Sequence, residues 1–410
     1  MDQKLLELYA RFAVQVGVGV LPGQTLMISA PLEAADFARL CAREALKAGA
    51  RDVSVRYKDE QVDRARYELA SEEALCDVPP WIERSYLDYV ERPGGTSILH
   101  ILGEDPEAFL GLDGGKINRA RQALKNAQKT WRGLTMNDRV AWCIVAVPTE
   151  TWAKKVFPAL APGEAVEQLW RAIFDVCRVT GGDPVAAWEQ HIALTSEKRD
   201  LLNALQLASL HFETARGTDL VVGLADGAMF EGAASHTPAG QRFIANVPTE
   251  EVFTAPHKDR VNGVVYGTKP YVYNGNLIED FWVRFEHGRV VDSGAAKNAQ
   301  LLRTLLDTDE GSRSIGEVAL VPATSPINRS GVLFYNTLFD ENAACHIAFG
   351  DGYPGTIQGG SDMTQEELLA HGVNHSVVHE DVMIGAEDLR ITGTTRAGET
   401  VPIFENGVWA

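Results

Sequence analysis

Thr25–Ala30 (TLMISA) is a short, almost wholly apolar run, and the residues on either side of it decide the fold. It is followed at Ala34–Ala48 (AADFARLCAREALKA) by apolar residues at helical spacing that stop at Gly49, and then by Val53–Tyr57 (VSVRY), rich in β-branched residues. A buried strand, an amphipathic helix and a second strand at this spacing predict a βαβ unit in a parallel sheet. Upstream, Leu5, Leu6, Tyr9, Phe12, Ala13 and Val16 give a helix over 3–16 with Asp2 as its N-cap. Downstream, Ser97–Leu102 and Val140–Val147 (VAWCIVAV) read as two more buried strands, with a basic-faced helix over 115–131 between them. Residues 163–206 read as largely helical.

After residue 207 the texture changes. DLVVGL, GVVYG, FWVRF and RVVD are short strand patterns separated by turn residues, and His287-Gly288 marks a hairpin. The expected organisation is an N-terminal α/β domain with a parallel sheet over 1–206. A mixed α+β, strand-rich domain over 207–410 follows it and carries the chemistry.

With 410 residues, the chain can bury about three-quarters of its unfolded surface and needs no disulfide. Lys plus Arg is 38 and Asp plus Glu is 56, a net charge of −18. Such a surface repels phosphate backbones and anionic lipid heads, so neither nucleic acid nor membrane is expected as a partner. The five cysteines are scattered with no C-x-x-C, which predicts reduced thiols in a cytoplasmic protein. The N-terminus lacks the apolar core of a signal peptide, and no apolar run reaches membrane-spanning length. Three cofactor patterns fail on inspection. Gly17-Val18-Gly19 lacks a third glycine, Gly114-Gly115-Lys116 is followed by Ile117, and His379-Glu380 has Met383 where a second histidine would stand.

Eight of the ten histidines lie beyond residue 207, so metal or acid–base chemistry is sought there. Ser376–Ile384 (SVVHEDVMI) reads as a strand, which puts His379 and Asp381 on one face, about 7 Å apart along the backbone. An imidazole and a carboxylate so placed can share a divalent metal, or the aspartate can simply orient the ring. In Asn246–Phe253 (NVPTEEVF), Pro248 excludes helix at Val247, and Glu250 and Glu251 point to opposite sides of an extended loop. They are either two solvated acids or two groups with different tasks. Glu341 and His346 sit in Asn336–His346 (NTLFDENAACH), where a charge beside Ala343, Ala344 and Cys345 needs a partner or a surface boundary. Tyr353 lies in the glycine-rich loop Phe349–Gly355, and Glu317 opens an apolar run. Glutamates, an aspartate and two histidines without paired cysteines suit two divalent ions of the Zn²⁺, Co²⁺, Mn²⁺ or Mg²⁺ kind.

Asn246–Phe253 (NVPTEEVF), Ile315–Val318 (IGEV), Asp340–His346 (DENAACH) and His379–Met383 (HEDVM) closely resemble the thermophilic metallo-aminopeptidase family, the aminopeptidase T, aminopeptidase S and PepS type. The resemblance extends to Val18–Pro31 (VGVLPGQTLMISAP) and covers nearly the whole chain. It implies a dinuclear metal-dependent aminopeptidase, usually a homodimer, acting on peptides with a free N-terminus. Matched motif to motif, Glu250, Glu317, His346, His379 and Asp381 are implied metal ligands. Glu341 is implied as a ligand or a supporting group. Tyr353 is implied as the catalytic phenol, and Glu251 as a general base or the partner of the substrate's α-amine. A related fold carries a mononuclear Fe(II) ring-cleaving dioxygenase. That alternative would use His346, His379 and Asp381 and leave Glu250 and Glu317 unexplained.

Overall fold

The computed structural model describes residues 2–410 except 104, 106, 274 and 275. The chain divides into two compact units, Met1–Gln190 with Ala234–Val247, and His191–Ala233 with Pro248–Ala410. The division falls inside the helix Pro184–Leu205. Residues 234–247 return to the first unit because their backbone continues its sheet. Ile144 N–H donates to Ala245 O and Val247 N–H to Ile144 O, in a parallel bridge.

The first unit holds a four-stranded, wholly parallel sheet. Its spatial order is Asp52–Lys58, Thr25–Pro31, Thr96–Leu102, Ala141–Ala146. The expected βαβ unit is present, with the helix Ala35–Lys47 as its crossover. Asp2 caps the first helix, accepting from the N–H groups of Lys4 and Leu5. Tyr9, Phe12, Phe37, Trp170, Phe174 and Trp188 form an aromatic core. Two expected helices are interrupted. The 115–131 pattern is two helices, Gly114–Ala127 and Lys129–Met136. The 163–206 pattern breaks after Val176, where Arg178, Gly181 and Gly182 take positive φ.

The second unit is antiparallel throughout its two large sheets. An eight-stranded sheet runs from Arg289–Gly294 to Val408–Trp409, and its 282–286/289–294 hairpin turns at His287-Gly288 as expected, both with positive φ. A five-stranded sheet has the order His379–Met383, His346–Gly350, Ile315–Leu320, Val252–Thr254, Glu231–Gly232. One apolar core packs both, with Phe212, Phe281, Phe285, Phe349 and Phe404 among its fully buried rings. The five cysteines are free thiols. Among the described residues no helix is long and apolar enough to cross a membrane.

Candidate metal centre

The five-stranded sheet builds the site by register. His346, Ala348 and Gly350 share a face of the middle strand because side chains alternate. Across that strand Asp381 is opposite Ala348 and His379 is opposite Gly350, while Glu317 lies opposite Ala348 on the other side. Four polar groups therefore surround two positions with almost no side chain. The space they need is left by Ala348 and Gly350. On the reverse face Ile347, Phe349, Val318 and Val382 enter the core. The strand expected over 376–384 is shorter, His379–Met383. Residues 376–378 are held instead by Asp309, which accepts from Ser376 Oγ at 2.8 Å and Val377 N–H at 2.7 Å.

The side chains converge. Nε2 of His346 is 3.2 Å from Glu251 Oε2, 3.6 Å from Glu317 Oε1 and 3.9 Å from Asp381 Oδ1. Nε2 of His379 is 3.5 Å from both Glu317 Oε2 and Asp381 Oδ1. Two ligand-type groups result, Glu251–Glu317–His346 and Glu317–His379–Asp381, each with its donor atoms within 4.8 Å of one another. Both rings are fixed from behind. Nδ1 of His379 lies 2.8 Å from Asp351 O and Nδ1 of His346 lies 3.2 Å from Ala344 O. A carbonyl only accepts, so each Nδ1 carries the proton and each Nε2 faces the carboxylates, the arrangement metal-binding histidines adopt.

The adjacent glutamates do point to opposite sides. Glu251 enters the cluster, whereas the Glu250 carboxylate lies toward His191, with Nε2 3.8 Å from Oε2. Of the two, it is Glu251 that joins the ligand-type group with Glu317 and His346. The residue parity of the loop is set where Val252 pairs with Leu320 and Gly232, which fixes the direction of the residue before it. Glu341, in a tight turn over Glu341–Ala343, is near enough to Asp381 for the two carboxyls to shift each other. The Tyr353 ring is 4.9 Å from the His379 ring and edge-on to Phe253 at 6.0 Å. His375 is exposed and paired with Asp351 at 2.9 Å, outside the cluster.

The electrostatics reflect many acids in a dry place. Burial raises the Glu317 carboxyl, and the charges of Glu251 and Asp381 add to it, against hydrogen bonding from His346. Burial and the Asp381 and Glu251 charges push Glu341 well above the usual carboxylate range. Burial would also raise Asp381, but His379 and His346 outweigh it and hold Asp381 low. Burial disfavours charge on both imidazoles, yet Glu251 and Glu317 pull His346 well up, and Asp381 and Glu317 bring His379 to about 10. Burial and the surrounding carboxylates drive the Tyr353 phenol well above its ordinary range. It stays a neutral donor.

Sequence reasoning passed over three supporting residues, Asn342, Asp351 and Asp309. Their only sequence signal is that each is a small polar residue close to a ligand motif.

The thermophilic metalloprotease (M29) family model matches residues 2–409. The chain is 44% identical over 408 residues to Aminopeptidase 2 of Geobacillus stearothermophilus, covering 100% of this chain and 98% of that one. It is 43% identical over 404 residues to Aminopeptidase T of Thermus thermophilus, covering 98% of each. The solved structure of wild-type AmpT from Thermus thermophilus superposes with a TM-score of 0.92 at 42% identity, over 100% of this chain and 99% of that one. The structure of 2,5-dihydroxypyridine dioxygenase from Pseudomonas putida gives a TM-score of 0.52 at 10% identity, over 99% and 96% of the two chains, a likeness of fold alone. The chain belongs to the thermophilic metalloprotease family, M29.

Proposed function

We propose that the protein is a metal-dependent aminopeptidase, removing N-terminal residues from peptides at a site for two divalent cations. The observation that carries the reading is Glu317. Its Oε1 faces the His346 imidazole and its Oε2 faces that of His379, at 3.6 and 3.5 Å, so it belongs to both ligand groups. One carboxylate shared between two such groups suits a paired-cation centre. The donors are carboxylate oxygens and imidazole nitrogens without thiolates, a set that fits Zn²⁺, Co²⁺, Mn²⁺ or Mg²⁺. Glu251, Glu317, His346, His379 and Asp381 would hold the cations, with Glu341 beside Asp381. Glu250 is left to the ordering of its loop. A mononuclear iron centre built on His346, His379 and Asp381 would leave Glu251 and Glu317 without a task.

Bound divalent cations supply polarisation of the scissile carbonyl and acidification of water. The rest falls to this chain's side chains. Tyr353, kept protonated by burial, donates a hydrogen bond to the oxyanion that develops at the attacked carbonyl. Glu341 is raised well above the ordinary range by burial and neighbouring charge. It is the carboxyl suited to carry a proton to the leaving amine. A substrate α-ammonium would need a carboxylate that the cations do not use, and that need would restrict cleavage to the N-terminus. The aminopeptidase names of the relatives support the same chemistry. The family likeness also supports a homodimer in the cytoplasm, and sedimentation velocity measures the first of these. The activity is tested by digesting matched peptides with free and acetylated N-termini. Stepwise loss of residues from the free peptides alone supports the reading, and equal cleavage of both refutes it.

A further inference from the structure

We propose that Asn342 is a positioning residue that ties together the two acidic arms of the centre, the Pro248–Glu251 segment and the Glu341 turn. The inference rests on the metal centre proposed above and extends it. Asn342 is fully buried in the turn Glu341–Ala343, with 0% of its surface exposed. Its Oδ1 accepts the Glu250 N–H at 2.7 Å. That bond fixes the orientation of the amide, since only the oxygen can accept. Nδ2 then faces three oxygens, Leu338 O at 3.3 Å, Pro248 O at 3.4 Å and Glu341 Oε1 at 3.4 Å. Its own carbonyl accepts from Ser325 Oγ at 2.6 Å.

Each contact has a geometric consequence. Pro248 has no N–H to anchor its segment, so the segment is held through the Pro248 carbonyl and the Glu250 amide on Asn342, and through the Thr249 carbonyl 2.8 Å from His191 Nε2. Glu251 follows Glu250 directly, so the same bonds aim its carboxylate at His346. The bond to Leu338 O closes the helix Thr337–Asp340 and sets where the Glu341 turn begins. The bond to Oε1 orients Glu341 itself. One rigid amide thus sets the separation of two carboxylates. No other side-chain type of this size offers an acceptor on one side and two donors on the other. Removing this buried amide leaves the Glu250 N–H and the oxygens facing Nδ2 without it, so its loss is felt by both arms at once.

The test compares the full-length chain with N342A and S325A. Ser325→Ala removes a buried bond to the backbone of the same turn but leaves the Asn342 side-chain amide and its contacts to Glu250, Pro248 and Glu341 in place. Cation dissociation constants are measured with Zn²⁺ against a chromophoric chelator, with thermal unfolding of the stripped proteins alongside. N342A is expected to weaken Zn²⁺ by about 10–100-fold, as loss of an outer partner does, and S325A by less than about threefold. An unchanged constant in N342A, or an equal loss in S325A, overturns the positioning role. If N342A does not fold, hydrogen exchange of the stripped wild type decides. The Glu250 amide is expected to exchange at least ~100-fold slower than a free chain, and free-chain exchange overturns the proposal. Wild-type protein that binds no cation overturns the metal-centre reading itself, an outcome distinct from any difference among the variants.

Discussion

Tyr353→Phe separates chemistry from packing at the centre. The substitution removes one oxygen and keeps the ring. The ring's contacts are with Phe253 at 6.0 Å and His379 at 4.9 Å, and both survive. Burial comes first among the causes that push the phenol up, and the charges of Glu317, Asp381, Glu341 and Glu251 follow. The hydroxyl removed therefore carries its proton at neutral pH. A preorganised donor to a developing oxyanion contributes about 2.7–4 kcal/mol, or 10²–10³ in kcat. The ground-state substrate carries no such charge, so KM should move by less than about threefold. Stability should change by less than about 1 kcal/mol, because the core contacts remain. Steady-state kinetics on an amino-acid anilide, cation content and thermal unfolding measure the three quantities. Retention of kcat in a folded, fully loaded variant refutes the role given to Tyr353. Loss of cation together with activity would make it a support of the ligands instead.

Three further outcomes follow from the same geometry. Glu251→Gln should abolish high-affinity cation binding, whereas Glu250→Gln should leave it within about tenfold of wild type. The reverse order, read by calorimetric titration, would return the ligand place to Glu250. Gly316→Ala would drive a Cβ into the carbonyl of Asp351, the acceptor that orients His379, with only backbone to move aside. It should cost about 1–3 kcal/mol in denaturant unfolding and weaken cation binding about tenfold. The third concerns pH in chelator-stripped protein. His379 rises from 6.5 to about 10 on folding, so its stabilisation is complete below pH 6.5 and is lost as pH climbs toward 10. His346, Glu317 and Glu341 shift in the same direction, and Asp381 in the opposite one, its share disappearing below about pH 4. The melting temperature of stripped protein should therefore fall steadily from pH 6.5 to 9.5. A flat profile contradicts the charge balance described.

The sequence carries the architecture where one pattern dominates a segment. TLMISA is apolar enough to be an interior strand of a parallel sheet, VSVRY is β-branched enough to pair beside it at the sheet's edge, and the two pair in register from Thr25↔Asp52. His379 and Asp381 could be put on one face because strand periodicity is strict. The clustering of Glu317 with His346 was legible only through resemblance, since it arises from pairing between strands distant in the chain. Glu250 and Glu251 illustrate the limit. Which of two neighbours faces the cluster depends on where the Val252 pairing begins, and that is set by Leu320 and Gly232. The return of 234–247 to the first unit has the same origin, a backbone pairing to Ile144 with no local pattern. Asn342 was invisible for another reason. Its significance lies in what its amide touches, and a buried asparagine leaves no periodic trace.

A paired-cation centre that drives aminopeptidase activity fixes how many cations must be returned before catalysis resumes. The most direct test is to titrate chelator-stripped protein with Co²⁺ or Zn²⁺ while following both bound cation and hydrolysis of a free N-terminal peptide. The stripped protein should show no activity, and full activity should return at two equivalents per chain. Activity without added cation, or saturation of both binding and rate at one equivalent, would contradict it.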